Sequence, residues 1–417
     1  MTGPHPPGVP TRAVGSNRWT PFERIGYEIL VCWTRTGRVI GSLPVWSSFD
    51  YTDPVSWSQL GTMNVAAPLL GRKTSGQREQ REVLQLLARE MLNLCLVLVR
   101  TTDRRAMWAG PVMSFDWSPT AVKIGCSSLG KLYDSRILIA NDYWGLPNDP
   151  RGKLSFTKAN RDLALELLTQ GIVGYRRDLP VVVPPQQGIA GPLTEYTPDD
   201  LVTNYEGLKK IVEQDNGPDV ILTPELYETD SAQWVRWVAE VGNPLVGSAA
   251  LWTPETRMIP TYDWQAGLLD LSGSIDASEM VSTGYVVGDS IGNTDRRRLI
   301  GVRVIDRGDP LPALERADRT NTSSANLAEL GALARSYVAV HAYPTHQWTV
   351  QVDADRWPLL GQDWRKGDMM RLAVSDHPWI EDGNYLRRIV GASHSSDHKL
   401  NLVTSDGSEA GAPRWLG

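Results

Sequence analysis

One layout occurs twice along this chain: a run of short strands, a single amphipathic helix, then several further strands. It fills roughly Arg24–Ser127 and again roughly Tyr262–Asp406. Between the copies lies a helix-rich middle, so the class expected is mainly β with an α/β middle, an α+β chain. In neither copy do acid, base and nucleophile gather at motif spacing, which points to a structural part rather than a catalyst.

At 417 residues the chain exceeds one ordinary core, and two to four domains are expected. The apolar share of 41% suffices to fill them. Net charge is −6 with Lys and Arg scattered, unlike a nucleic-acid binder built on a basic stripe. The one basic run, Arg296-Arg297-Arg298, reads as a solvated strand edge. Cys32, Cys95 and Cys126 lie far apart in sequence, in three strand-like segments without CxxC spacing, and read as buried free thiols of a reducing compartment. Met1–Asn17, rich in Pro and Gly, reads as neither signal peptide nor membrane anchor. No run approaches the roughly 18 apolar residues of a spanning helix, so a soluble product made in the cytoplasm is expected.

Along the first copy, residues 24–34 read as a strand, Arg35–Arg38 as a turn into Val39-Ile40, Pro44–Pro54 as irregular, and Thr62–Ala66 as a short strand. Ser75–Met91 then shifts to helical period, with Val83, Leu84, Leu86, Leu87 and Met91 on one face. Leu92–Arg100 is nearly continuous apolar sequence, as a buried strand requires. Ala106–Trp117 and Ala121–Ser127 follow as strands of an antiparallel meander, with Val122, Ile124 and Cys126 on one side of the last. The first domain closes near Arg136.

In the middle, Phe156–Gln170 reads as a helix ended by Gly171, and Pro180–Pro192 as loop. Thr197 is expected to cap a helix reaching Gln214, with Pro198 and Asp199-Asp200 in its first turn. Val220–Thr223 reads as a strand and Ser231–Val241 as an amphipathic piece. The second copy is expected to place strands at Asp263–Asp270, Met280–Gly288 and Arg298–Arg307. A helix then runs over Ala325–Val340, capped by Ser323 or Ser324, before strands at Gln347–Val352, Gly367–Val374, Tyr385–Ser393 and Lys399–Thr404.

No motif assigns a catalytic, cofactor-binding or metal-binding residue. GCSSLGK (Gly125–Lys131) has the spacing of a phosphate loop, but Leu132 stands where Ser or Thr would reach magnesium, so it reads as a strand end and loop. His341, His346, His377, His394 and His398 cluster late in the chain and read as surface or turn residues. His394 and His398 flank a turn at a hairpin mouth. Asp263, Asp270, Asp276, Glu279, Asp353, Asp355, Asp363 and Asp368 supply carboxylates, but no pair ranks above another as a glycosidase dyad. HExxH is missing. Sixteen tryptophans against four phenylalanines are spread over nearly every strand-turn unit, which favours core and interface use over one sugar-binding face.

The order of these features resembles the minor tail proteins that form the tail hub of siphophages infecting actinobacteria, themselves similar to contractile-phage baseplate hubs. The matching pieces are WTRTGRVIGSLP (Trp33–Pro44), LCLVLVRTTDRRAMWAGPVMSFDW (Leu94–Trp117), VKIGCSSLGKLYDSR (Val122–Arg136), VRWVAEVGNPLVG (Val235–Gly247), SANLAELGALARSYV (Ser324–Val338), and the KGDMMRLAV and YLRRIVGAS strands (Lys366–Val374, Tyr385–Ser393). The resemblance covers nearly everything past Asn17. It implies two tube-like β-barrel domains, each carrying a helix, at 18–136 and 260–407, an intermediate domain at 137–259, a leader at 1–17 and a tail at 408–417. It also implies a non-enzymatic virion protein at the phage tail tip, made in the host cytoplasm. Such a homotrimer matches a hexameric tube with a pseudo-sixfold ring, contacts the distal tail protein, the tape-measure protein and other tail-tip proteins, and lets DNA pass through its lumen. The sequence departs in its Pro/Gly leader and in lacking an appended peptidase or lysozyme domain. Two rivals are a receptor- or carbohydrate-binding tail-tip protein and a cell-wall hydrolase.

Overall fold

The computed structural model describes residues 26–55, 57, 59–69, 75–118, 120–138, 153–173, 177–196, 201–214, 217–229, 232–242, 261–263, 268–276, 278, 280–290, 298–304, 314–318, 326–342, 345–355, 358–375, 377, 380 and 382–406. The first strand-rich unit runs β1 (Tyr27–Trp33), β2 (Val39–Ser42), β3 (Ser48–Pro54), β4 (Thr62–Pro68), α1 (Ser75–Arg89), β5 (Leu94–Arg100), β6 (Arg105–Trp117) and β7 (Ala121–Ser127). The middle holds α2 (Gly130–Asp134), β8 (Leu154–Lys158), α3 (Asn160–Gln170), β9 (Val181–Val182), β10 (Ala190–Tyr196), α4 (Asn204–Val212), β11 (Val220–Thr229) and β12 (Ala232–Val241). The second unit comprises β13 (Thr261–Asp263), β14 (Leu268–Asp276), β15 (Thr283–Ser290), β16 (Arg298–Val304), β17 (Glu315–Asp318), α5 (Leu327–His341), β18 (Thr345–Asp353), β19 (Met369–Val374), β20 (Gly383–Ser395) and β21 (Lys399–Asp406).

The two copies share one sheet. Thirteen strands follow the order β14-β18-β21-β20-β3-β4-β7-β6-β5-β1-β2, with β19 branching from β20 and carrying β13. Among the described residues this path has two open ends, β14 and β2, and closes into no barrel. Three smaller sheets stand apart: β10-β8, β11-β12-β9 and β16-β15-β17. Helix α5 lies so close on the last that a Cβ at Gly301 would sit 2.3 Å from the Leu330 backbone. Only glycine admits that approach.

Every residue of β5 is buried, and period-2 alternation sends its side chains into two different cores. Leu94, Leu96 and Leu98 join Ile29, Val31, Phe49, Tyr51, Met63, Leu84 and Leu87 inside the first unit. Cys95, Val97 and Val99 turn the other way, onto Leu163, Leu167 and Leu168 of α3, Leu208 and Ile211 of α4, and Val235 and Trp237 of β12. Continuous hydrophobicity from Leu94 to Val99 is therefore required, because neither face meets water. The middle module is packed on the first unit through a shared core. Helix α1 covers the other side with Leu84 and Leu87, whereas Met91, expected on that face, lies past the helix end and is 40% exposed.

Several local expectations are corrected. Pro44–Pro54 is not irregular throughout: Ser48–Pro54 is an interior strand whose Phe49 and Tyr51 point inward while Ser48, Asp50 and Thr52 are exposed. Phe156 belongs to β8 and the helix starts only at Asn160. The Pro-rich loop contains β9 and the start of β10, with Pro192 at a register shift between Ala190 and Leu193 where no ladder bond is forfeited. Ser231–Val241 is strand from Ala232, with Val235, Trp237, Ala239 and Val241 buried at spacing two. The cap expected at Thr197, like those at Ser323 and Ser324, lies outside the described residues. Helix α4 begins instead after Thr203, whose Oγ1 accepts the Glu206 N–H at 3.1 Å while Glu206 Oε2 accepts the Thr203 N–H at 2.8 Å. The Thr-x-x-Glu spacing of a capping box marked this start. Strand β17 had no sequence signal beyond a short Arg/Glu alternation.

The Pro-rich tract is held down by one carboxylate. Asp162, 1% exposed, accepts the backbone N–H groups of Gln187, Gly188 and Ile189 at 3.0, 2.7 and 3.0 Å. Burial pushes its carboxyl up, but these three bonds outweigh it and hold the group below the usual carboxylate range.

Two outcomes are expected in urea denaturation. Leu96→Ala should cost about 2–5 kcal/mol, since β5 cannot relax toward either core. Asp162→Ala should cost about 1–3 kcal/mol, because three backbone N–H groups lose a buried, charged acceptor.

Candidate functional site

The position where the two strand-rich units meet is built from β3 and β20. Five register pairs, Asp50↔Ser395 through Pro54↔Gly391, join them antiparallel. The ladder is extended by Val55 N–H to the Val390 carbonyl at 2.9 Å and Ser396 N–H to the Phe49 carbonyl at 3.0 Å. β3 keeps β4 on its other edge and β20 keeps β21. His394 points into the seam, 3% exposed, with ring centroids of Tyr27, Phe49 and Tyr51 at 5.3, 5.6 and 5.8 Å. Its Nε2 and the Tyr51 hydroxyl are buried without a hydrogen-bond partner. Burial, then the nearby His398, push the His394 pKa down to about 4.

Charged groups fasten the same junction. Arg100, 2% exposed at the end of β5, donates Nε to Asp103 Oδ1 at 3.0 Å and Nη1 to the Leu360 carbonyl of the second unit at 2.9 Å. Burial works to raise the Asp103 carboxyl, yet bonding and attraction to Arg100 leave it below its ordinary range. Lys366 pairs with Asp53 across the junction. Arg388 pairs with Asp219, and Arg365 Nη1 donates to Glu240 at 2.6 Å, so the middle module is tied to the second unit as well. Between the three parts lies a cavity of about 60 Å³ lined by Asp53, Trp57, Trp108, Tyr205, Trp237 and Lys366 among others. It has room for a few waters, far below the roughly 300–1,000 Å³ of a ligand pocket.

The sequence candidates do not converge here. Gly125–Ser127 finish β7 and Gly130–Asp134 form the short α2, where Lys131 pairs with Asp134 and Trp57 and Leu60 crowd Gly130. No phosphate cradle exists in that stretch. His394, expected at a surface or turn, is instead buried, because the strand continues two residues beyond Ser393 and turns its ring inward. His398 does occupy the turn, with a φ of 63° and Nδ1 2.8 Å from Asp355 Oδ2. The carboxylates Asp353, Asp363 and Asp368 accept backbone N–H groups of their own loops. Asp263, Asp276 and Glu279 lack described side chains, as do Arg296 and Arg297. Among the described residues no group of three His, Cys, Asp or Glu is placed to hold a metal ion, and no helix is long and apolar enough to cross a membrane.

All three cysteines are buried free thiols, and Cys32 and Cys95, distant in sequence, are register partners on β1 and β5. Trp108, Trp237 and Trp364 are fully buried and Trp57 nearly so, while Trp117 at the β6 end is 77% exposed. The described tryptophans thus serve mainly as core. Sequence reasoning missed Arg100, though a lone Arg closing an apolar strand three residues before Asp103 was a usable signal. Arg100→Met should leave Asp103 and the Leu360 carbonyl without their donor. A loss of about 3 kcal/mol in calorimetric stability is expected.

No family model matches the sequence, and no curated protein does. Solved structures do. A tail protein from Neisseria meningitidis MC58 superposes with a TM-score of 0.54 at 14% identity, covering 92% of this chain and 97% of that one. The 43 kDa tail protein of prophage MuSo2 from Shewanella oneidensis gives 0.52 at 12% identity, covering 91% and 98%. The Francisella PdpA-VgrG complex gives 0.51 at 8% identity over 94% of this chain and 54% of that one. Over more than nine-tenths of its length, the chain has a tail-protein fold.

Proposed function

We propose that the chain is a structural, non-enzymatic subunit of a phage tail hub, in which three copies close a ring at the distal end of the tube. The observation that carries this reading is the fold, shared end to end with two tail proteins. It is supported by the arrangement of two strand-rich units within one chain, which lets a trimer offer six similar faces to a sixfold tube. In this reading residues 18–136 and 260–407 are the ring domains, each curving as a tube-like β-barrel segment. Residues 137–259 pack against them, with 1–17 as leader and 408–417 as tail.

The finer assignment follows the sequence resemblance: a siphophage of an actinobacterial host, with the distal tail protein above, the tape-measure protein inside and further tail-tip proteins below. Virion assembly in the host cytoplasm and passage of DNA through the lumen belong to the same reading. Three copies at −6 each carry −18, and an acidic lining repels DNA rather than holding it.

Mass photometry of the purified chain tests the hub. A species near three times 46.2 kDa that appears as a threefold ring in negative-stain images is the expected result. A persistent monomer at micromolar concentration, with no ring in images of particles carrying it, would overturn the reading.

A further inference from the structure

The junction between β3 and β20 has a property that the tail-hub reading does not supply and does not need, since it lies within one chain. Each strand has a second neighbour, so the five-pair ladder can part while β3 stays on β4 and β20 on β21. A neutral imidazole is buried in that ladder. We propose that the β3–β20 junction is a proton-operated seam, closed while His394 is neutral and parted when its ring becomes an imidazolium.

The groups around the ring set the sign. From β1 come Tyr27, an uncharged phenol, and Glu28, engaged by Arg104. From β3 come Tyr51, also uncharged, Asp50, which accepts Asn64, and Asp53, paired with Lys366. From β5 comes Arg100, locked to Asp103. The segment after β18 contributes Asp355, whose Oδ2 lies 2.8 Å from His398 Nδ1 and whose Oδ1 is buried without a hydrogen-bond partner, and the β20–β21 turn contributes Asp397, whose Oδ1 receives the Lys399 N–H. Glu28, Asp50, Asp53, Asp103 and Asp397 already have partners, and the His394 Nε2 has none. A proton placed there adds a cation beside Arg100 and His398. The three aromatic rings attract an imidazolium, but burial of an ion without an acceptor outweighs them.

The depressed value of about 4 against the ordinary 6.5 agrees with this geometry. The parted seam, with its histidine in water, binds the proton more readily, so closure is complete above pH 6.5 and weakens as pH falls from 6.5 toward 4. At pH 5 the opening equilibrium shifts by about 20-fold relative to pH 7.

Hydrogen-exchange mass spectrometry on the full chain tests this, with rates corrected for intrinsic exchange. Peptides covering Phe49–Pro54 and Gly391–Ser395 should lose protection by about 20-fold between pH 7 and pH 5, while the β11–β12 hairpin holds. In His394→Phe, which fills the same aromatic space and cannot titrate, the seam should stay protected at both values. Equal acid sensitivity in the variant, or equal loss in the hairpin, overturns the proposal. Independently of whether that variant folds, the His394 ring resonances of the native chain should titrate near 4; a midpoint near 6.5 overturns it as well.

Discussion

Burial of β5 on both faces is the constraint on which the rest depends. A strand that meets no water on either side cannot exist at the surface of one small domain, so the first unit is incomplete without the middle module. Six consecutive side chains from Leu94 to Val99 alternate between two cores, each contributing on the order of 1.5–3 kcal/mol by burial. Helices α3 and α4 and the β11–β12 hairpin are thereby fixed against the first unit. The middle module is one wall of the first strand-rich unit.

The second constraint is the seam. The units that read as two copies of one layout are edge neighbours in a single sheet, and what joins them is a short ladder, a buried aromatic cluster and a few ion pairs. Such a joint differs in kind from the β5 core. Its hydrogen bonds are as good as any ladder's, but its packing includes an imidazole ring, two orphaned polar atoms and desolvated charges, which make it more polar than the β5 core. Specificity of register is strong there nonetheless, since a one-residue slip would turn Phe49, Tyr51 and His394 outward.

Part of the strand order of the first unit was legible. The β5–β6–β7 meander follows from apolar alternation broken by Thr101–Arg104 and Ser118–Thr120, and α1 follows from the period change after Ser75. What stayed hidden was nonlocal or disguised. β3 alternates Phe49 and Tyr51 with Ser and Asp, residues that elsewhere mark turns, and only its two neighbours make it a strand. β12 mixes Gln, Arg and Glu with its buried Trp237, so its period of two read only as an amphipathic piece. The fate of His394 could not be read from the His-Ser-Ser-Asp-His string, because burial there depends on Tyr27 and Phe49, hundreds of residues earlier. That a candidate site lay at a junction was likewise invisible without the pairing of β3 to β20.

The span of that pairing has a consequence for how the chain is made. More than 300 residues separate β3 from its partner in β20. At ribosomal speeds of about 5–20 residues per second, β3 waits roughly 20–70 s with one edge unsatisfied. During that interval its edge is open to any strand of matching register, including β20 of a neighbouring nascent or finished copy. Asp50 and Asp53 on this strand act as charged guards against the wrong pairing. An exchange of the carboxy-terminal hairpin between chains would satisfy the same hydrogen bonds as the intramolecular one. The order of synthesis, as much as the final energy, thus decides whether a given copy closes on itself or on its neighbour.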